Sequence, residues 1–134
     1  MIKQIKQVEE FNKSFNIEVQ TNPILVDLKT QELRVNLLKE EIEEYAIANS
    51  SGDMVEVVDA AADILYLAFG LVIQHGLQDI IEDVFNAVHS SNMSKLDESG
   101  RPIFREDGKV MKGPDFFTPT RSIELSLEKF NYNY

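Results

Sequence analysis

Residues Met54 to Ile73 most constrain what this chain can become: twenty positions, apolar throughout except for Glu56, Asp59 and Asp63. No Pro interrupts them, and Asp53 with Glu56 three positions later has the spacing of a capping box at a helix start. A helix this apolar has no solvent face to spare, so the fold must place it at the centre, with protein on nearly all sides. Twenty apolar residues also suit a membrane span. Three carboxylates in the first half argue against that, because each costs roughly 2.5 kcal/mol or more on insertion scales.

The remaining segments supply partners for that helix. Ile5, Val8, Phe11 and Phe15 recur at helical spacing over residues 2–15, and Thr21-Asn22-Pro23 breaks the run. Residues 30–49 place Leu33, Leu37, Leu38 and Tyr45 on one side of a second helix, which Ser50-Ser51-Gly52 ends. After the His75-Gly76 stop, residues 77–92 form a fourth helix with Ile80, Ile81, Val84, Phe85 and Val88 turned inward. Past Met93 the chain is rich in Gly, Pro and both charges. Ile103–Arg105 and Lys109–Met111 flank an Asp107-Gly108 turn, which suits a small hairpin or ordered loop. Residues 123–130 make a short terminal helix, and the last four residues, 131–134, are expected to fray. The expected architecture is all-α: a bundle of four main helices, a Gly/Pro-rich C-terminal loop and a short last helix, in a single domain over 1–134. Its core helices span about 30–92 and its loop, or lid, about 93–119. A chain of 134 residues is too small to enclose the central helix completely, so a homodimer or higher homo-oligomer is expected.

Composition narrows the function. Thirteen Lys plus Arg against 23 Asp plus Glu give a net charge of −10, the wrong sign for a nucleic-acid polymer as partner. There is no cysteine, which removes disulfide frameworks, thiolate metal sites and Cys nucleophiles. The amino-terminal residues lack the apolar run of a secretory signal, and a cytoplasmic location is the expectation.

The acids are not spread evenly. Between Glu40 and Asp63 stand eight carboxylates, Glu40, Glu41, Glu43, Glu44, Asp53, Glu56, Asp59 and Asp63, and no Lys or Arg. At 100° per residue Glu41 and Glu44 share the stripe of Leu33, Leu37 and Ala48, with Glu40 at its edge and Glu43 turned away. Glu56, Asp59 and Asp63 share a narrow arc of the apolar helix, buried or lining a cleft. The short connection makes the two helices antiparallel neighbours, so four to six carboxylates meet. Like charges about 4 Å apart repel by roughly 1 kcal/mol in water and about 4 at an effective dielectric of 20, so such a pocket needs protons or cations. Oxygen-only ligands select a hard cation, Mg²⁺ or Mn²⁺. A solvated face accounts for a glutamate run and a capping box accounts for Glu56; neither accounts for Asp59 and Asp63 among Val, Ala, Ile and Leu.

Other acid-based sites lack their letters. A di-iron bundle needs Glu-x-x-His, but Val72 and Asn86 stand three before His75 and His89. Those histidines read as a helix-end residue and a packing residue. There is neither a D-x-[DN]-x-[DN]-G calcium loop nor a Gly-rich phosphate loop.

The pattern Glu40-Glu41-x-x-Glu44 followed by Glu56-x-x-Asp59 resembles the E-E-x-x-E and E-x-x-D signature of the all-α nucleoside triphosphate pyrophosphatases. This MazG-like superfamily includes dimeric dUTPases and phosphoribosyl-ATP pyrophosphatases. LLKEEIEEY, EVVDAAADILYLAFGLVIQHGL and VHSSNMSKLDESGRPIFREDGKVMKGPDFFTP together look like its small phosphoribosyl-ATP pyrophosphohydrolase-like branch, some members of which act on dUTP or other dNTPs. The likeness covers about residues 30–119. It implies Mg²⁺ on Glu41, Glu44, Glu56 and Asp59, and cleavage of a nucleoside triphosphate to monophosphate and pyrophosphate by water. Glu40 would orient or deprotonate the water, and Asp63 would hold a metal-bound water or a hydrogen bond behind the ligands. Donors for the phosphates are expected from the segment after the fourth helix, with Asn92 and Lys95 on phosphate or sugar and Lys109 and Lys112 on the outer phosphates. Two alternatives remain open: hydrolysis of phosphoribosyl-ATP in histidine synthesis, and a non-catalytic helical dimer that binds metal or nucleotide.

Overall fold

The computed structural model describes residues 1–132 and is all-α, with five helices: α1 (Ile2–Ser14), α2 (Leu28–Ser51), α3 (Met54–Gln74), α4 (Ile81–Met93) and α5 (Thr120–Glu128). Among the described residues no helix is long and apolar enough to cross a membrane. Two compact units divide the chain, one over Met1–Asp79 and a second beginning at Ile80.

In the first unit α3 is flanked by α1 and α2. Helix α2 starts at Leu28, two residues before the expected Thr30, because Asp27 caps it: its Oδ1 accepts from the Thr30 N–H at 2.8 Å. It ends at Gly52, whose φ of 76° is the left-handed C-cap conformation that glycine adopts without strain. Asp53 then caps α3, its Oδ1 accepting from the Val55 and Glu56 N–H groups at 3.0 and 3.2 Å. The capping box is only half built, since the Asp53 N–H donates to Ala48 O at 3.0 Å rather than to Glu56. That leaves the Glu56 carboxylate out of the cap. With only two residues between the helices, α2 and α3 run antiparallel: Arg34 lies against Gly70 and Gln74, while Glu41 feels Asp59 and Asp63.

Helix α1 buries Ile5, Val8 and Asn12, and Phe11 meets Tyr66 edge-on at 5.7 Å between ring centroids. The segment after α1 returns along the C-terminal end of α3. Gln20 N–H donates to Ile73 O, Ile24 N–H to His75 O, and the Gln78 amide to Gln20 O at 2.7 Å. Gly76 makes this approach possible, with φ of 66° and the Asn22 carbonyl oxygen 2.1 Å from where a Cβ would stand. Gly76→Ala is expected to lower unfolding stability by about 2 kcal/mol or more, read as a fall in urea midpoint, because it adds a clash with backbone to a strained φ.

Several side chains expected to face inward do not. Leu33 and Tyr45 on α2 are exposed, since the stripe that meets α3 carries Arg34, Leu37, Leu38, Glu41 and Ala48 instead. Helix α3 is covered along one side only: Val55, Val58 and Leu65 are 76%, 62% and 60% exposed. Of the two readings for Glu56, Asp59 and Asp63, burial fails, for all three are exposed at residue level, which leaves the lining of a cleft. Two flanking helices cannot enclose a 21-residue apolar helix.

In the second unit α5 packs on α4. Phe85 and Val88, expected inward, are exposed, whereas Ile80, also expected inward, is buried, as is Ser91. A 13-residue helix with one short neighbour covers a single stripe. Ser91 Oγ donates to Phe117 O at 2.8 Å and the Phe117 N–H to Ser94 Oγ at 3.2 Å, which ties the loop to the end of α4. The turn at Asp107-Gly108 is closed by one antiparallel bridge, Phe104 with Val110, so the expected hairpin is reduced to its tip. Of the four residues expected to fray, Asn131 ends a turn after α5 and Tyr132 follows it, while Asn133 and Tyr134 lie outside the described residues.

Candidate active site: an acidic seam between two helices

Helices α2 and α3 carry their acids toward a common seam, and Glu41 stands at its centre. Its side chain is partly buried, and Oε2 is closed off from solvent with no hydrogen-bond partner. Burial is the largest influence on this carboxyl group and pushes its pKa above the usual glutamate value. Repulsion from Glu44, Asp63, Glu40 and Asp59, in that order, pushes it further the same way. Four of the six acids expected at the site thus act on a fifth, Glu41, from both helices. Glu56, the sixth, lines a depression of about 330 Å3 with Glu44, Ala48 and Asp53. Asp63 thus acts on the same carboxyl group as the expected ligands Glu44 and Asp59.

This donor set suits a hard divalent cation. Every candidate ligand is a carboxylate, and an orphaned buried oxygen surrounded by like charge lacks only a positive partner. The shell is not drawn tight: among the described residues no three acidic or imidazole side chains already converge as metal ligands do. Glu40, Glu44, Glu56, Asp59 and Asp63 are exposed, whereas Glu41 is partly buried.

The expected phosphate donors lie in the second unit. Lys95 Nζ donates to Asn92 Oδ1 at 2.7 Å, so these two form a pair at the end of α4. Lys112 sits over the Phe116 ring, Nζ 4.4 Å from its centroid, and Lys109 is exposed beside the Asp107 turn. The Arg105–Asp107 ion pair holds that turn and raises the Arg105 pKa while lowering that of Asp107.

One basic residue of the first unit escaped the sequence reading. Arg34, half-buried on α2, donates from Nε to Gln74 Oε1 at 2.5 Å, and burial lowers its pKa. Its position seven residues before Glu41 places both on one face, which is the signal that could have found it.

The fold has a solved counterpart. Over 94% of each chain the structure matches a protein from Exiguobacterium sp. 255-15, provisionally named an NTP pyrophosphohydrolase, with a TM-score of 0.51 and 23% identity. That likeness defines a shared helical fold. Residues 8–92, more than half of the chain, match the family model for phosphoribosyl-ATP pyrophosphohydrolase, and the chain belongs to that family. An uncharacterized protein of Acanthamoeba polyphaga mimivirus is 29% identical over 132 residues, 95% of this chain. The chain spans about half the length of that relative, 49%. All six seam acids fall inside the family match, as does Asn92; Lys95, Lys109 and Lys112 fall beyond it.

Proposed function

We propose that the chain is a Mg²⁺-dependent nucleotide pyrophosphohydrolase that converts a nucleoside or deoxynucleoside triphosphate, dUTP among the candidates, to its monophosphate and pyrophosphate. One observation carries the reading: within a pyrophosphohydrolase family, a buried glutamate oxygen stands without a partner amid four further acids.

Glu41, Glu44, Glu56 and Asp59 would hold the cation, and Asp63 sits close enough to Glu41 to join or steady them. Bound there, Mg²⁺ would offset the charge of the phosphates and stabilise negative charge around the α-phosphorus. Glu40, exposed at the edge of the seam, accepts a proton from the attacking water. The water oxygen bonds to the α-phosphorus, and the bond from that phosphorus to the bridging oxygen breaks, so the bridging oxygen leaves with pyrophosphate. Asn92, Lys95, Lys109 and Lys112 supply hydrogen bonds and positive charge to the sugar and outer phosphates. A second copy of the chain covers the exposed stripe of α3.

The family description favours phosphoribosyl-ATP as a second reading of the same chemistry. The test is a panel of nucleoside triphosphates and phosphoribosyl-ATP with Mg²⁺, resolving monophosphate plus pyrophosphate from diphosphate plus phosphate. Monophosphate from one or more triphosphates is the expected result. Diphosphate would overturn cleavage at the α-phosphorus, and turnover of phosphoribosyl-ATP alone would establish the second reading. Metal binding without any turnover would leave a non-catalytic binding protein.

A further inference from the structure

Beside the acidic seam, and toward the N-terminal end of α2, the first unit holds a cavity of about 310 Å3. Leu25, Val26, Val35, Leu38 and Leu71 give it apolar walls, and Gln31, Arg34 and His75 bring polar side chains to it. Arg34, Leu38 and Glu41 follow one another at four- and three-residue spacing on one stripe of α2. On α2 the cavity wall therefore begins at Leu38, less than one helical turn from Glu41, and ends at Arg34, about two turns or roughly 10 Å along the seam from it. That is about the reach of a nucleoside from its phosphate to the far edge of its base.

Arg34 and His75 are already oriented by hydrogen bonds. The Arg34 guanidinium is held by its Nε bond to Gln74 Oε1, and it lies against Gly70, where a Cβ would come within 3.1 Å of Nη1. Among the described residues no carboxylate pairs with it, so its terminal N–H groups are spare donors. His75 caps the end of α3, and its Nδ1 bonds the Ile24 carbonyl oxygen at 2.7 Å. Nδ1 must carry the hydrogen in that bond, because a carbonyl only accepts. In the neutral ring Nε2 is then an acceptor. A phosphate group fits this cavity poorly, since most of its surface would be desolvated against aliphatic side chains.

We infer that this cavity is the base subsite of the proposed pyrophosphohydrolase, and that it takes bases presenting a ring N–H beside a carbonyl oxygen, such as uracil, thymine or guanine, in preference to adenine. Arg34 donates to the carbonyl oxygen and His75 Nε2 accepts from the ring N–H. Adenine offers the reverse pattern, an unprotonated ring nitrogen beside an amino group, which leaves both protein groups unmatched. The inference rests on the proposed function for its place in catalysis, but base recognition itself can be read without turnover.

The experiment measures binding of guanosine, uridine and adenosine, which carry no phosphate, by chemical-shift titration of methyl-labelled protein. In parallel, kcat/KM is measured for GTP, UTP and ATP. Guanosine and uridine should shift the methyl signals of Leu38 and Leu71 and bind about tenfold or more tighter than adenosine, within the discrimination that a well-placed polar pair gives. Arg34→Met should erase that preference. Arg34→Lys, which keeps the charge and loses the planar fork, and Gly70→Ala, which displaces the guanidinium, should reduce it. Equal binding of all three nucleosides, no binding, or a preference indifferent to Arg34 would overturn the subsite even if every triphosphate is hydrolysed. Conversely, absent turnover with the nucleoside preference intact would overturn the pyrophosphohydrolase reading and leave the subsite standing.

Discussion

Glu41→Gln is expected to lower Mg²⁺-dependent turnover by on the order of 10²–10³-fold, the scale seen when a group that stabilises transition-state charge is removed. The fold should survive, and that contrast is what identifies the residue's work. Glutamine keeps the shape of the side chain but loses the charge that Glu44, Asp63, Glu40 and Asp59 oppose. In the metal-free protein the substitution should therefore leave the melting temperature unchanged or raise it. Burial and repulsion raise the pKa of this carboxyl in the folded state, so the folded protein binds its proton more readily than the unfolded chain does. This contribution to stability is fully present below the ordinary glutamate value of 4.5 and is lost as pH rises through the raised folded value. Metal-free wild type should accordingly gain melting temperature on acidification across that window, and Glu41→Gln should show a smaller gain. Full activity in the variant would remove Glu41 from the mechanism. A sharp fall in its metal-free melting temperature would mean that the carboxylate serves the fold instead.

Val58→Asp should convert a homodimer to a monomer, measured by light scattering behind size-exclusion chromatography at about 10 μM, and should lower turnover with it. Val55, Val58, Ala62 and Leu65 recur at three- and four-residue spacing along α3, and all four are exposed. An apolar stripe of that kind is expensive to leave in water, and a self-complementary pairing about a two-fold axis covers it twice with one contact. A charge at its middle would be buried unpaired on each copy. Wild type that already runs as a monomer at that concentration would refute the pairing.

The helices were legible because their signals are local. Asp53, Gly52 and the apolar periodicity of Met54 to Ile73 sit within a few residues of the boundaries that they set. The start of α2 was misplaced because its cap, Asp27, precedes two residues, Leu28 and Lys29, that carry no periodic signal of their own. The acidic seam was legible for the same reason: spacing of three and four places Glu41, Glu44, Asp59 and Asp63 on facing stripes. How deeply each acid sits was not, since burial depends on what covers a helix from elsewhere in the chain or from another chain. Glu41 has a closed-off oxygen while Asp59 and Asp63, in a more apolar run, stay exposed. Arg34 was not legible in the same way, because the basic residues cluster beyond α4. Its meaning comes from Gln74, 40 residues away, which spacing on one helix does not reveal.

The joint at Gly52-Asp53 also bears on the order in which this chain acquires structure. Glu44 and Glu56 lie only twelve positions apart, and closing so short a loop costs little chain entropy, so α2 and α3 are the natural first partners. The carboxylates are then pressed together at the outset, before α1 or any second copy has docked. Repulsion in the seam thus falls on the earliest long-range contact of the fold, where protons or divalent cations in the surrounding solution ease the pairing of the two helices.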